Sequence, residues 1–350
     1  MPGDPLRLRA RFSVNPQHGP RLDASPAPDQ ASSSANVHRG AIVVDLHCDT
    51  LLEVAAKTRD IRNRSSDGAI DLPRLREGGM GAQVFAAFIH PKEAARGFAR
   101  ALELVSAFER LLVESPVALG KAMTAREVEA LQGGDRIGAI LAIENGSAIE
   151  RDVANLEWLY RRGVRMMSLT WNQSNALADG ALEVVHGGLT SFGRTVVARM
   201  QELGMVVDVS HLSPQSFWDV LAASHGPIIA SHSNAAGLTP HPRNLTDDQL
   251  RAIADRAGVV GVNFYPVFLG RPTLDRVLDH MDYLVHVMGI DHVGLGSDFD
   301  GFTGQVQGLE DVSKLPNLTR GLLARGYPQE QIVKILGGNV LRVFHYVWGE

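Results

Sequence analysis

Cysteine is nearly absent: the 350 residues contain one, Cys48. A framework of internal disulfides is therefore excluded, and a reducing compartment suits the chain. Long apolar runs are missing too; none approaches the roughly eighteen residues that a membrane-spanning helix needs. There is no basic run or basic helix, and 34 Lys and Arg against 39 Asp and Glu give a net charge of −5. Nothing here offers a surface to nucleic acid or to an anionic membrane. Aromatic residues make up only 6%, but 45% hydrophobic and 21% charged residues form an ordinary globular composition. The length fits one large domain or two modest ones. No internal repeat is visible.

The first forty residues stand apart. They hold six of the seventeen prolines, the run Ser32 to Ser34, and Arg and Asp without periodicity. Residues 1–40 are expected to form a disordered or loosely packed extension, with the folded domain spanning 41–350. The extension lacks the apolar central segment of a secretory signal. Arg7, Arg9 and Arg11 sit among prolines and aspartates that oppose a transit peptide. The expected location is the cytoplasm.

Beyond residue 40 the pattern becomes regular. Apolar, β-branched stretches of strand length occur at 42–47, 81–88, 137–144, 165–171, 205–211, 227–232, 259–264 and 292–298. Amphipathic helical patterns lie between them, among others at 94–114, 192–203, 246–257 and 274–288. Continuous apolar strands alternating with helices predict a parallel sheet covered on both faces. Eight such units fit a closed (β/α)8 barrel, a TIM barrel. An open doubly wound sheet is the alternative, but no Gly-rich phosphate fingerprint follows the first strand. The tail, 312–347, reads as two further helices that break at Gly337-Gly338-Asn339.

In such a barrel the chemistry sits where strands end, and the polar residues there follow one theme. The first strand ends in His47-x-Asp49. Side chains two apart on a strand point the same way, so this imidazole and carboxylate project together. The third ends in Glu144, the fifth in Asp208-Val-Ser-His211, the sixth in His232-Ser-Asn234, and the eighth in Asp298-Phe-Asp-Gly301. Each residue alone has a plain reading, as a hydrogen-bonded histidine, a helix cap or a turn aspartate. Together, three histidines and three acids on one rim would be costly to desolvate without a cation. Imidazoles and carboxylates suit zinc or a similar divalent ion. Five ligands exceed what one catalytic zinc takes, and a carboxylate can bridge, so a two-metal hydrolytic centre is the economical account.

Several segments carry a resemblance. Asp45-Leu-His-x-Asp49, Ile-Glu144-x-Gly, Gly188-Leu-Thr-x-Phe-Gly193, Asp208-Val-Ser-His211, Ser231-His232-Ser and Arg243-Asn244 are similar to segments of the membrane (renal) dipeptidase family of metallopeptidases. So are Gly296-x-Asp298-Phe-Asp-Gly301, Gly308-Leu-Glu-Asp-Val-Ser-Lys314 and Asn339-Val-Leu-Arg-Val-Phe344. The likeness runs in order from about residue 41 to the end and points to the soluble bacterial type. It implies a barrel of the metal-dependent amidohydrolase type and two zinc ions. His47, Asp49 and Glu144 would hold one; Glu144, His211 and His232 would hold the other, with Glu144 bridging. It further implies Asp298 as proton shuttle and Arg243 as the group that binds substrate. The implied reaction is hydrolysis of dipeptides, including those with a D-residue at the carboxyl side. One departure stands out: Leu169-Thr-Trp171-Asn172 places tryptophan where the family's mammalian members carry a histidine that touches the substrate carbonyl. Trp171 can donate one N–H but cannot become cationic.

Two other readings remain open. One is hydrolysis of another small amide or lactam on the same site, as in deacylation of an N-acyl-D-amino acid. The other is a barrel that binds metal without catalysis. The expected partners are a small dipeptide substrate and a second copy of the chain in a homodimer, with no nucleic acid and no membrane. Cys48 is expected to pack, and Asp300 to serve a turn. His225, His292, His280 and His286 are assigned to packing or surface, and His186 and His241 border the mouth.

Overall fold

Val43 and Val44, then Leu46 and Cys48, are apolar on both sides of the chain, the signature of a strand buried on two faces. They form β1 (Val43–Cys48), every residue of which is buried. The computed structural model describes residues 28–349, with side-chain surroundings from residue 34. The other strands are β2 (Met80–Phe88), β3 (Leu119–Lys121), β4 (Ile137–Glu144), β5 (Val164–Ser168), β6 (Val206–Asp208), β7 (Ile229–Ser233), β8 (Val259–Val262) and β9 (Val293–Leu295). All pair in parallel, in the order β2-β1-β9-β8-β7-β6-β5-β4, and β4 returns to β2 to close an eight-stranded barrel. β3 is an addition outside the ring. It pairs with the first residues of β4, Leu119 opposite Ile137.

Helices follow the strands and cover the ring. Those at Ala125–Gly133, Ser191–Leu203, Pro214–Ala223, Asp247–Asp255 and Leu274–Met288 each begin on a Ser or Thr whose hydroxyl accepts a backbone N–H of the first turn. Such caps contribute about 1 kcal/mol each. The tail departs from two helices with a simple break. It runs through Pro316–Ala324, Gln329–Val333, a wide turn at Lys334–Gly338, and Asn339–Trp348. Gly337 is extended within that turn, and a Cβ there would lie 2.0 Å from the Ile42 carbonyl oxygen, so the chain can press on β1 only as glycine. The last helix then puts Val340, Val343 and Phe344 against Val44, Leu46, Val206 and Ile229. This apolar plug closes the amino end of the barrel and leaves the carboxyl end for chemistry.

Of the expected extension, residues 28–40 are described. Pro28–Gly40 is a helix, and its last turn is docked: Val37 and His38 are buried. His38 Nε2 donates to the Gly78 carbonyl at 2.8 Å, and Nδ1 lies 2.7 Å from Thr319 Oγ1. The rest of the expected extension, residues 1–27, lies outside the described residues. Among those described, no helix is long and apolar enough to cross a membrane.

Candidate active site

The barrel brings the strand-end residues together. His47 Nε2 lies 3.5 Å from Asp49 Oδ2, 3.5 Å from Glu144 Oε2 and 4.0 Å from Asp298 Oδ1. On the other side, Glu144 Oε1 lies 2.9 Å from His211 Nε2 and 3.8 Å from His232 Nε2. The two oxygens of Glu144 thus face two different groups. All six side chains are at least nearly buried. His211 and Asp298 reach inward from left-handed backbone, with φ of 70° and 63°. Non-glycine residues pay for that conformation, and it re-aims a side chain where a regular strand could not.

Gly301 makes the approach of the acids feasible. A Cβ there would lie 2.2 Å from Asp49 Oδ2 and 2.4 Å from Asp298 Oδ1.

The donor set fits divalent metal. His211 Nδ1 is 2.9 Å from Asn172 Oδ1, an acceptor, so the ring proton sits on Nδ1. His232 Nδ1 is 2.7 Å from Ser231 Oγ, whose own proton goes to Asp208 Oδ2 at 2.5 Å. Both Nε2 atoms therefore carry lone pairs, yet they stand 2.8 Å apart. Burial first, then the nearby Arg243, lowers the pKa of His211 to about 3, and burial and His47 depress His232 as well, so neither is charged near neutral pH. Two facing lone pairs beside a carboxylate oxygen call for a cation. His47 Nε2 is also buried without a hydrogen-bond partner; burial opposes its charge, but Glu144 and Asp49 raise its pKa well above the ordinary value, so this nitrogen would give up a proton to a cation. The ligand atoms of His47, Glu144 and His232 lie within 4.8 Å of one another, as do those of His47, Asp49 and Asp298.

The charges are sorted by surroundings. Burial disfavours ionised Glu144, but His47 outweighs it and holds this carboxyl well below the usual range. Asp298 goes the other way: burial pushes it up to about 7, against the pull of His47. Its Oδ2 accepts from Asn263 Nδ2 at 3.0 Å, which leaves Oδ1 toward the cluster. Asp298 thus shares with His47 and Asp49 a spacing that one divalent ion would fit.

Arg243 is buried with no carboxylate within 4.0 Å among the described residues. Its Nη2 donates to the His232 carbonyl at 3.2 Å, and Nε has no partner. The guanidinium carbon lies 5.4 Å above the ring centre of Phe268. Burial lowers its pKa to about 10, so the cation persists. A buried, incompletely satisfied cation is a receptor for an anion. Phe268 in turn lines a cavity of about 730 Å³ with two aromatic groups in its walls, Phe88 with Trp171 and Tyr265 with Phe268 and Phe302. The Trp171 ring packs 5.3 Å from Phe88 and 6.1 Å from His211, so it lines the mouth.

Other assignments resolve into structure. Asp300 accepts from Thr50 Oγ1 at 2.7 Å and from Arg59, which ties the loop after β1 to the loop after β9. His241 Nδ1 accepts from the Arg243 backbone N–H, and His186 Nε2 donates to the Asn175 carbonyl. Cys48 is buried. Sequence reasoning missed Asp45 and Ser297, the aromatic wall at 265–302, and the role of Gly301. For Asp45 a signal existed, because it lies two residues before His47 and so on the same face of β1.

Residues 32–348 match the family described as membrane dipeptidase, peptidase family M19. A dipeptidase of Aspergillus oryzae, aclJ, is 36% identical over 295 residues, which is 79% of this chain and 69% of that protein. Among solved structures, the metallopeptidase dipeptidase AC superposes with a TM-score of 0.84 at 31% identity, over 89% of this chain and 99% of that one. A metallopeptidase from Rhodobacter sphaeroides, liganded with a phosphinate mimic of the dipeptide L-Ala-D-Ala, superposes with a TM-score of 0.83 at 30% identity, over 88% of this chain and 100% of that one. With this coverage by the family and this closed barrel, the chain belongs to the membrane dipeptidase family and is a dipeptide-hydrolysing metalloenzyme.

Proposed function

We propose that this enzyme is a two-zinc dipeptidase that accepts a D-residue at the carboxyl side of its substrate. The observation that carries the reading is the division of Glu144, with Oε2 toward His47 and Oε1 toward His211 and His232. His47, Asp49 and Glu144 would hold one ion, and Glu144, His211 and His232 the other. When bound, the ions supply Lewis acidity, making hydroxide available near neutral pH and polarising a carbonyl.

The chain's own groups do the rest. Arg243 receives the dipeptide carboxylate with the guanidinium N–H groups that the His232 carbonyl leaves free. Asp298 takes a proton on Oδ1 and hands it to the leaving amine, a task suited to a carboxyl that titrates near the working pH. Trp171 and Phe88 wall off water from the scissile bond. The D-residue preference draws support from the Rhodobacter relative, whose bound mimic is of L-Ala-D-Ala.

The test is a panel of L-Ala-L-Ala, L-Ala-D-Ala and N-acetyl-D-Ala, assayed on chelator-stripped protein and after zinc is restored. Zinc-dependent cleavage of both dipeptides, with D-Ala at the carboxyl side at least as good, is expected. Cleavage of N-acetyl-D-Ala alone would move the activity to deacylation, and metal-independent turnover would refute the zinc centre.

A further inference from the structure

Directly beneath the site, one arrangement occurs twice. Asp45, two residues before His47, accepts the Ser297 backbone N–H on Oδ1 at 2.8 Å and the Ser297 hydroxyl on Oδ2 at 2.6 Å. Asp208, three residues before His211, accepts the Ser231 backbone N–H on Oδ1 at 3.0 Å and the Ser231 hydroxyl on Oδ2 at 2.5 Å. In both cases a buried carboxylate on one strand takes both donors of a buried serine on the neighbouring chain segment. Each serine directly precedes a site residue, Asp298 or His232.

These pairs sit at the two seams of the ring with the shortest regular pairing. Regular pairing joins β1 to β9 only at Asp45 and Leu295, and β6 to β7 only at Asp208 and Ile229. By contrast, β2 and β4 share a ladder from Ala82 and Gly138 to Phe88 and Glu144. Around these points the backbone adds only the Asp298 N–H to the His47 carbonyl at 3.2 Å and the Asp49 N–H to the Phe299 carbonyl at 3.0 Å on the first seam, and the Val209 N–H to the Ile229 carbonyl at 2.7 Å on the second, so the side-chain pairs reinforce a short backbone ladder. The first seam carries His47 and Asp49 against Asp298, and the second carries His211 against His232.

We propose that Asp45–Ser297 and Asp208–Ser231 are positioning clamps, each setting the geometry of one half of the ligand cluster and hence the affinity of one metal ion. The second clamp also fixes a tautomer. Because the Ser231 hydroxyl donates to Asp208, its oxygen accepts from His232 Nδ1–H and leaves the Nε2 lone pair to the ion. Gln83 Nε2 adds a third donor to Asp45 at 2.9 Å, so the first clamp is braced from β2 as well. The inference rests on the two-metal reading above.

The experiment is calorimetric titration of chelator-stripped full-length protein with Zn²⁺, repeated with Co²⁺ to read ligand geometry from its visible absorption. Variants are Asp45→Asn and Ser297→Ala for one clamp, Asp208→Asn and Ser231→Ala for the other. The milder serine variants keep the test alive if an aspartate variant fails to fold. Each clamp's variants are expected to weaken one binding step by about 10–100-fold, leaving the other within about threefold. The two clamps should affect different steps, and each should alter a different part of the Co²⁺ spectrum. Equal weakening of both steps in proportion to lost thermal stability would overturn the proposal, as would unchanged binding in all serine variants. A parent chain that takes up no divalent ion overturns the two-metal reading itself, and is recognised before any substitution is made.

Discussion

Glu144 is buried and Asp298 nearly so, and both carboxylates face His47, yet their surroundings drive their proton affinities apart, Glu144 downward and Asp298 up to about 7. Opposed shifts of this kind separate a permanent anion from a proton carrier. Asp298→Asn should therefore cost on the order of 10²–10⁴-fold in kcat, read by steady-state kinetics. Turnover within a few-fold of the parent would exclude the proton-carrying role. Trp171 belongs to the wall of the mouth, where it offers contact area and not charge. Trp171→Ala should raise KM for bulky dipeptides with little change in kcat, the mark of lost uniform binding; an unchanged ranking of substrates would make the ring a lid only. The ligand-type residues were legible because histidines and acids at strand ends are chemically conspicuous. Gly301 was not, because its contribution is the absence of a Cβ between two carboxylates, and only coordinates show what stands there.

At the scale of elements, apolar runs marked all eight ring strands, but four of the expected ends overshoot. The stretches expected to reach 171, 211, 264 and 298 leave regular pairing at Ser168, Asp208, Val262 and Leu295. At two of these the cause is visible: His211 and Asp298 adopt positive φ, which a pattern of hydropathy does not register. β3 escaped notice because three residues around Gly120 carry no alternation. The helix Pro28–Gly40 was hidden by proline- and serine-rich composition, although its last turn buries Val37 and His38. Two truncations test what that docking is worth. Removing residues 1–27 should leave the thermal midpoint within about a degree, whereas removing 1–38 should lower it by several degrees, from loss of a buried valine and two hydrogen bonds. Equal midpoints would show that the docked turn contributes nothing to stability.

For the whole molecule, metal and pH act on one balance. In the stripped protein, Asp298 keeps its proton up to about 7, while in the unfolded chain it loses it near the ordinary 3.8. The folded state binds more protons across that window, so this group's contribution makes stability fall as pH rises through it. Thermal unfolding of stripped protein should show a downward slope from pH 5 to 7 that Asp298→Asn flattens; an identical slope in the variant would refute this. Zinc should raise the midpoint, and more so at higher pH, since the ions take deprotonated ligands. The seam between β1 and β9 extends the point from equilibrium to synthesis. Glu144, His211 and His232 lie between residues 144 and 232, but the half of the cluster on that seam joins His47 and Asp49 to Asp298, and the plug that seals the floor comes later still, at 339–348. A nascent chain must therefore leave the ribosome almost whole before its first strand can meet its last. Until then it exposes a loose set of metal-binding side chains with a free parallel edge. Chains stalled before residue 290 should bind zinc weakly and remain protease-sensitive, and tight uptake by such chains would show that the centre assembles without ring closure.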